Sequence, residues 1–447
     1  MKTLSVLLLA TLAGCSTTSP VLRPELPPPP AYSEQVVGPA VSADWWKTFS
    51  SAELQALVDE ALEGSPDLAI AMERVRQAEA QLRIAGSSLF PALNFGMDSR
   101  KTRNSESSSA SLSASYELDL WGRNAAGLSA AEAGLRATTY DRESARLTLV
   151  SGVADAYFDV LSLRGRLAIA RDNLAIAERV LAVVEARRRN GAVSQLDVER
   201  QQGAILSQRA AIPQLEQQER QTLAALALLL GRAPQGFEVK GADVQTLAVP
   251  AVGAGLPADL LTRRPDLAAA EASLVAANAD LAAARAELLP SIQLTGSAGV
   301  ASGALLAIGG GATGAVAIAA SILQPIFDGG RRRAGVTIAE SRERELVEIY
   351  RKAILSAFAD VENALVATTR LSERESLQAE AARRSREALR LAEVRYREGA
   401  EDLLSVLDAQ RSLFNAEDQH AQARLERLQA AVALYKALGG GWQQPSS

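Results

Sequence analysis

Hydrophobic residues recur along this chain with two different periods. Leu93, Phe95 and Met97 alternate with Asn94, Gly96 and Asp98. After a polar tip around Asn104 to Ser108, Leu112, Ala114, Tyr116, Leu118 and Leu120 alternate with Ser111, Ser113, Ser115, Glu117 and Asp119. A period of two predicts strands, so residues of about 91–121 are expected to form a β-hairpin with one apolar and one polar face. Beyond Trp121-Gly122 the spacing changes: Val150, Val153, Ala154, Tyr157, Phe158 and Leu161 follow helical i, i+3, i+4 steps, and Leu167, Leu174 and Leu181 fall seven apart. Such stripes predict side-by-side packing with other helices.

The stretch Arg123 to Asn190 holds no proline and closes on Gly191. As one helix it would run on the order of 100 Å, several times the width of an ordinary domain. Gly191-Ala192-Val193 reverses the chain, Ser194 with Asp197 offers a capping box, and a return helix reaches Leu230-Gly231. Pro213 is expected to kink or break that helix. Before the first hairpin, Ser50 with Glu53 suggests a capped short helix ending near Gly64, and Ser65-Pro66 opens another reaching about Ser88.

The plan then repeats. Arg331 to Glu398, closed by Gly399, matches Arg123 to Asn190 at an offset of 208, as Leu438-Gly439 matches Leu230-Gly231. Pro265-Asp266-Leu267 answers Pro66-Asp67-Leu68, and Leu289-Pro290 answers Phe90-Pro91, both at an offset of 199. The extra residues therefore fall around the second hairpin, where a loop tolerates them. The expected organisation is a signal peptide (1–14), a Pro-rich tether (15–43), a first repeat (44–231), an irregular connector (232–255), a second repeat (256–438) and a tail (439–447). The second repeat would hold a hairpin at about 290–327, a long helix at about 331–398 and a return helix at about 402–438.

Leu288 to Phe327 carries no charge, and hydropathy alone would place a membrane helix near Val300 to Leu323. Ser291, Gln293, Thr295 and Ser297 instead alternate strictly with Ile292, Leu294, Gly296 and Ala298, and the matching stretch of the first repeat holds Asp98, Arg100, Lys101 and Glu117. Strands are therefore expected in both repeats. Gly309, Gly311 and Gly314 fit the spacing of a dinucleotide fingerprint, but an apolar, strand-like run comes after them and its first acid is Asp328, so a glycine-rich hairpin tip is the better reading.

Composition narrows the chemistry. Lys2, the apolar run Leu4 to Leu12 and Leu12-Ala13-Gly14-Cys15 resemble an export signal with a bacterial lipobox, in which Cys15 would be acylated; Ser16 follows, and no aspartate stands there to oppose carriage to the outer membrane. Cys15 is the sole cysteine, so thiolate chemistry and disulfides have no material in the mature chain. His420, the sole histidine, sits in a polar helical context, which leaves clustered metal sites and histidine triads without ligands or a base. No cofactor or metal is expected. A net charge of −5 argues against nucleic acid, and Arg187-Arg188-Arg189 and Arg331-Arg332-Arg333 are read as charges at helix ends.

Four amphipathic strands cannot close a barrel alone, and open strand edges are not tolerated in lipid. The strands must therefore be pooled among copies: three copies give twelve. Gly255-Leu-Pro-Ala-Asp-Leu-Leu-Thr-Arg-Arg-Pro-Asp-Leu267, and Tyr396-Arg-Glu-Gly399 continuing into Leu404-Ser-Val-Leu-Asp408-Ala-Gln-Arg411, resemble the TolC and OprM type of outer-membrane efflux channel, in the lipoprotein branch associated with resistance-nodulation-division pumps. The resemblance spans essentially the whole mature chain. It implies a mainly α protein with a transmembrane β-barrel portion: a homotrimer whose 12-stranded barrel in outer membrane lipid continues into a periplasmic α-helical barrel, with a collar that includes the connector. It also implies a passive gated conduit for small molecules in a tripartite efflux system associated with multidrug resistance, coupled through a periplasmic adaptor (membrane fusion protein) to an inner-membrane pump.

By that resemblance the periplasmic gate maps to Leu404 and Asp408, with Asp197 as counterpart on the first-repeat tip. Three Asp408 side chains around a threefold axis would repel one another and disfavour anions. Ser405 stands where some relatives have a second aspartate, and Glu401 where some have an arginine. The tips Gly191, Ala192, Val193, Ser194 and Gly399, Ala400, Glu401, Asp402 would dock the adaptor, although any helical hairpin wants such turn residues. A periplasmic adaptor or scaffold lipoprotein would share the long helical hairpins but not the two strand pairs. A cell-wall enzyme would have only carboxylates to work with, and no pair stands out.

Overall fold

The computed structural model describes residues 20–34, 38–303 and 313–444, so Cys15, the leader before it, and Gly309 and Gly311 lie outside the described residues. Seven principal helices and four strands follow the order α1 (Ala52–Gly64), α2 (Pro66–Ser87), β1 (Ala92–Lys101), β2 (Glu106–Leu118), α3 (Arg123–Arg189), α4 (Gln195–Leu229), α5 (Pro265–Ala286), β3 (Ser291–Ser302), β4 (Thr313–Leu323), α6 (Arg331–Arg397) and α7 (Leu403–Ala437). The duplication is carried to the residue: α3 and α6 each have 67 residues, α4 and α7 each 35, and α2 and α5 each 22. At the helical rise, α3 and α6 are each about 100 Å long.

The chain forms two compact units. The first is built from the described residues of 20–26, 73–141 and 266–353. Its centre is one antiparallel sheet in the order β1-β2-β3-β4, so the two hairpins are joined through β2 and β3 and the edges β1 and β4 stay open. The stretch Val300 to Leu323, which hydropathy alone would make a membrane helix, lies within β3 and β4 where described. Among the described residues, the one helix long and apolar enough to cross a membrane is instead α5. Part of its apolar surface is covered, with Leu274 and Leu281 fully buried, while Asn278 Nδ2 donates to the buried Glu343 at 2.8 Å and Arg285 pairs with Glu340 of α6.

Matching corners join strands to long helices. After β2, Asp119 accepts from the free N–H groups of Asn124 and Ala125 at 3.1 and 2.8 Å, which caps α3. After β4, Asp328 accepts from Gly330 N and Arg332 N and does the same for α6. Trp121 Nε1 donates to the Pro290 carbonyl at 2.7 Å, fastening the first corner to the start of the second hairpin.

The second unit comprises the described residues of 27–72, 142–265 and 354–444. Its core takes the helical stripe Val150, Val153, Tyr157, Phe158 and Leu161 of α3 and packs it with Phe49, Leu54, Leu226, Val361, Leu365, Leu428 and Tyr435. Trp45 stacks on Tyr435 with centroids 5.0 Å apart. Both repeats thus share one core, and the irregular connector is sewn into it through Phe237, Val239, Val244, Leu247 and Val252.

Three local expectations change. The cap of α1 is Ser51, whose Oγ accepts from Leu54 N at 3.1 Å, while Ser50 adopts a left-handed conformation with φ 59°. Glu53 is then free to accept from Lys240 N, Gly241 N and Tyr157 Oη. Pro213 does not break α4, which runs unbroken from Gln195 to Leu229. The Pro-rich tether is not a bare linker: Tyr32 is buried, and Ser33 donates through its N–H to Glu362 Oε1 at 3.0 Å.

Candidate functional site

Two places carry the chemistry of this chain: the faces of the sheet, and the turns where α3 meets α4 and α6 meets α7. Sheet register aligns like with like. Across β1, β2, β3 and β4, Leu93, Ala114, Gly296 and Ile318 form one row, and Phe95, Leu112, Ala298 and Val316 the next. Interleaved rows, Asn94, Ser113, Ser297 and Ala317, or Ser115, Thr295 and Ala319, present small and hydroxylated side chains on the other face. Leu93, Phe95, Met97, Val316, Ile318 and Ile322 are all exposed, a continuous apolar face with no protein partner among the described residues. Strands of 10 to 13 residues suit a tilted crossing of a hydrocarbon core. The open edges require further strands, because unpaired N–H and C=O groups are costly in lipid.

At the first tip Gly191 takes φ 73°, and Ala192 N donates back to the Arg187 carbonyl at 2.9 Å. At the second, Gly399 takes φ 79°, and Ala400 N donates to the Arg395 carbonyl at 2.9 Å. Glycine supplies the left-handed residue that this helix-ending geometry needs. Ser194 and Asp197 close a reciprocal capping box at the start of α4, with Ser194 N to Asp197 Oδ2 at 2.9 Å. Asp402 caps α7, accepting from Ser405 N at 3.0 Å and Ser405 Oγ at 2.9 Å, and that backbone donation holds its carboxyl below the usual range. Glu401 bridges Arg395 at 3.1 Å and accepts from Ser405 Oγ.

Leu404 and Asp408 lie one helical turn apart on an exposed face of α7, while Leu403, Val406, Gln410 and Leu413 form its buried face. Asp197, at the other tip, is not free: its carboxylate accepts from Ser194 N at 2.9 Å and Ser194 Oγ at 2.8 Å. Nor does Asp408 stand alone: Arg411, three residues on, donates to its Oδ1 at 2.8 Å. An Asp408 ring would thus carry its own countercharge, which weakens the expected exclusion of anions.

A tie between the tips was invisible in the sequence. Arg187, in the last turn of α3, lies 4.6 Å over the ring of buried Tyr396 in α6 and donates to the Tyr396 carbonyl. Val180, Val184, Val198, Leu389, Leu403 and Val406 pack around it, so four helix ends share one small core. Farther from the turns, Asn173 is buried and donates to Glu417 Oε2 at 3.0 Å, and Glu417 also receives Arg386. Two adjoining hollows run beside this core, sharing Arg179 and Glu393. Ile176, Leu389 and Leu413 line one of about 410 Å³, and Val180, Val183 and Tyr396 line the other.

Comparison with known proteins converges on one family. The outer membrane efflux protein family matches residues 57–232 and 256–440, two segments that each hold one hairpin and one long-helix pair. The pyoverdine export outer membrane protein OpmQ of Pseudomonas aeruginosa is 43% identical over 99% of this chain and 98% of its own. OprJ, an outer membrane protein of the same organism, is 35% identical over 99% of this chain and 96% of its own. The crystal structure of the open state of the Neisseria gonorrhoeae MtrE outer membrane channel superposes with a TM-score of 0.85 at 33% identity, covering 96% of this chain and 98% of that one. With its apolar sheet face, open strand edges and duplicated long helices, the chain belongs to the outer membrane efflux protein family and is an efflux channel of the outer membrane.

Proposed function

We propose that three copies of this chain pool their strands into a twelve-stranded barrel and their long helices into a gated tunnel. In that tunnel Leu404 and Asp408 form the periplasmic constriction. The observation that carries this reading is the sheet: four strands with one exposed apolar face and two open edges make a stable membrane object only when copies complete it. Acylation of Cys15 would hold each copy to the inner leaflet, each buried methylene contributing about 0.8 kcal/mol. No chemical step is assigned to the chain; its part is conduction.

The tips supply the moving end. Arg187 ties α3 to α6 through Tyr396, so displacing the α6–α7 pair requires breaking that contact first. A periplasmic adaptor, linked to an inner-membrane pump, would engage Gly191 to Ser194, Gly399 to Asp402 and the hollows beside Arg179 and Glu393, with apolar floors for a partner helix and charged rims for its flanks. For cargo, the name of the 43%-identical relative makes a siderophore of the pyoverdine kind the first to test. A lumen lined by Ser and Thr rows suits such a polar, hydrated molecule.

The gate is tested by single-channel recording. Leu404→Ala with Asp408→Ala is expected to raise conductance several-fold while particle size stays that of wild type. Unchanged conductance in a correctly assembled variant would remove Leu404 and Asp408 from the gate.

A further inference from the structure

The most exposed large apolar side chains of the described residues are neither on a strand nor at a tip. Ile326 and Phe327 are 91% and 93% exposed, three and four residues beyond the end of β4. They follow the exposed Val316, Ile318 and Ile322 of β4 along the chain, just before the corner where α6 begins. Arg331 and Arg333 follow directly, both exposed, and among the described residues no hydrogen bond or ion pair holds either guanidinium. Apolar side chains at the border of a hydrocarbon core, followed within one turn by free arginines, match a bilayer's interface in order: acyl chain first, headgroup next.

The acids at this corner have other work. Glu117 pairs with Arg123 at 2.7 Å, and Asp119 is spent on the N-terminus of α3. Asp328 accepts from the backbone N–H groups of Arg332 and Gly330 and pairs with the Arg332 guanidinium at 3.9 Å. Arg332 turns inward to the Glu287 carbonyl. Of the acids at this corner, Glu287 keeps a carboxylate that no hydrogen bond or ion pair among the described residues engages, against the two exposed arginines. The corner's four acids and four arginines balance in charge, but the two guanidinium groups that nothing among the described residues holds, Arg331 and Arg333, are exposed next to Ile326 and Phe327 in sequence.

We propose that Ile326, Phe327, Arg331 and Arg333 form a seat for anionic phospholipid on the helical side of the barrel. The acyl chains meet the two apolar residues and the phosphate meets the two guanidinium groups. The seat rests on the sheet spanning the outer membrane, and it faces the inner leaflet because the helices leave the sheet on that side. It fixes the height and tilt of the barrel at the start of α6, the helix that carries Tyr396.

The test uses the full-length, lipidated chain in detergent, analysed by native mass spectrometry after addition of phosphatidylglycerol or phosphatidylethanolamine. Wild type is expected to retain the anionic lipid preferentially. At about fivefold per arginine, Arg331→Gln with Arg333→Gln loses roughly twenty-five-fold of that preference, whereas Arg342→Gln, farther along α6, keeps it. Equal retention of both lipids by wild type, or full preference in the double variant, overturns the seat. Should the double variant fail to assemble, wild type in about 1 M salt, where screening reaches about 3 Å, decides instead: persistent preference contradicts the proposal. Phe327→Trp is expected to be quenched by brominated lipid. If it is unquenched, and Phe327→Cys with Phe90→Cys cross-links between copies, the surface is covered by a neighbouring copy and the lipid seat is wrong. Conductance of the double variant in planar bilayers separates failure of the seat from failure of the channel.

Discussion

Asp155 sits in the wall between α3 and α7 with one carboxylate oxygen buried and without a hydrogen-bond partner. Burial, reinforced by Asp159 one turn along and opposed by Lys436, pushes its carboxyl up to about 7. Asp159 is itself raised by burial, although Gln429 donates to its Oδ1 at 3.0 Å. A carboxyl whose folded value is raised binds its proton more tightly folded than unfolded. Stability is therefore greatest at the acid end of the window, falls as pH rises from about 4 to about 7, and is level above that. Asp155→Asn is expected to flatten this slope and to stabilise the protein at pH 8 by on the order of 2 kcal/mol, a figure reduced for partial exposure. Thermal unfolding at pH 5 and pH 8 reads the effect; an unchanged slope in the variant would contradict the assignment.

At the scale of elements, α4 holds a proline without losing continuity. Pro213 lacks the N–H that would reach the carbonyl of Arg209, yet the helix continues because flanking residues such as Ile205, Leu215 and Leu223 are anchored by packing. Pro213→Ala restores that hydrogen bond and is expected to stabilise the fold by about 1–3 kcal/mol, read from denaturant midpoints in detergent. A loss of stability would mean that the helix needs a bend there. Elements were legible in the sequence because their signals are local. The period-two alternation of Leu93 to Met97 and of Ser291 to Ala298 lies within strands, and Arg123 and Arg331 open the long helices. Choices between near-equal neighbours were not legible. Ser50 and Ser51 both precede a helix, and Ser51 caps it because Glu53 is drawn away by the backbone of residues 240 and 241. The leucines at 167, 174 and 181 suggested one seam, but only Leu167 is buried, and near position 174 the buried side chain is Asn173, held by Glu417. Arg411 beside Asp408 was within reach of i, i+3 spacing; Arg187 over Tyr396, 209 positions apart, was not.

For the whole molecule, the duplication explains why one short sequence plan makes a channel wall. Each repeat contributes one hairpin and one long-helix pair, and the two hairpins share one sheet through β2 and β3. What a single chain lacks is closure, since β1 and β4 end in open edges. The central claim is therefore that conduction belongs to three copies and not to one. Its most direct test is to determine the subunit count by native mass spectrometry on the same purified particles whose conductance is recorded in planar bilayers. Conducting particles are expected to contain three full-length chains, and monomer fractions are expected to be silent. A conducting monomer, or a stable three-chain particle that never conducts even with Leu404 and Asp408 truncated, would contradict it.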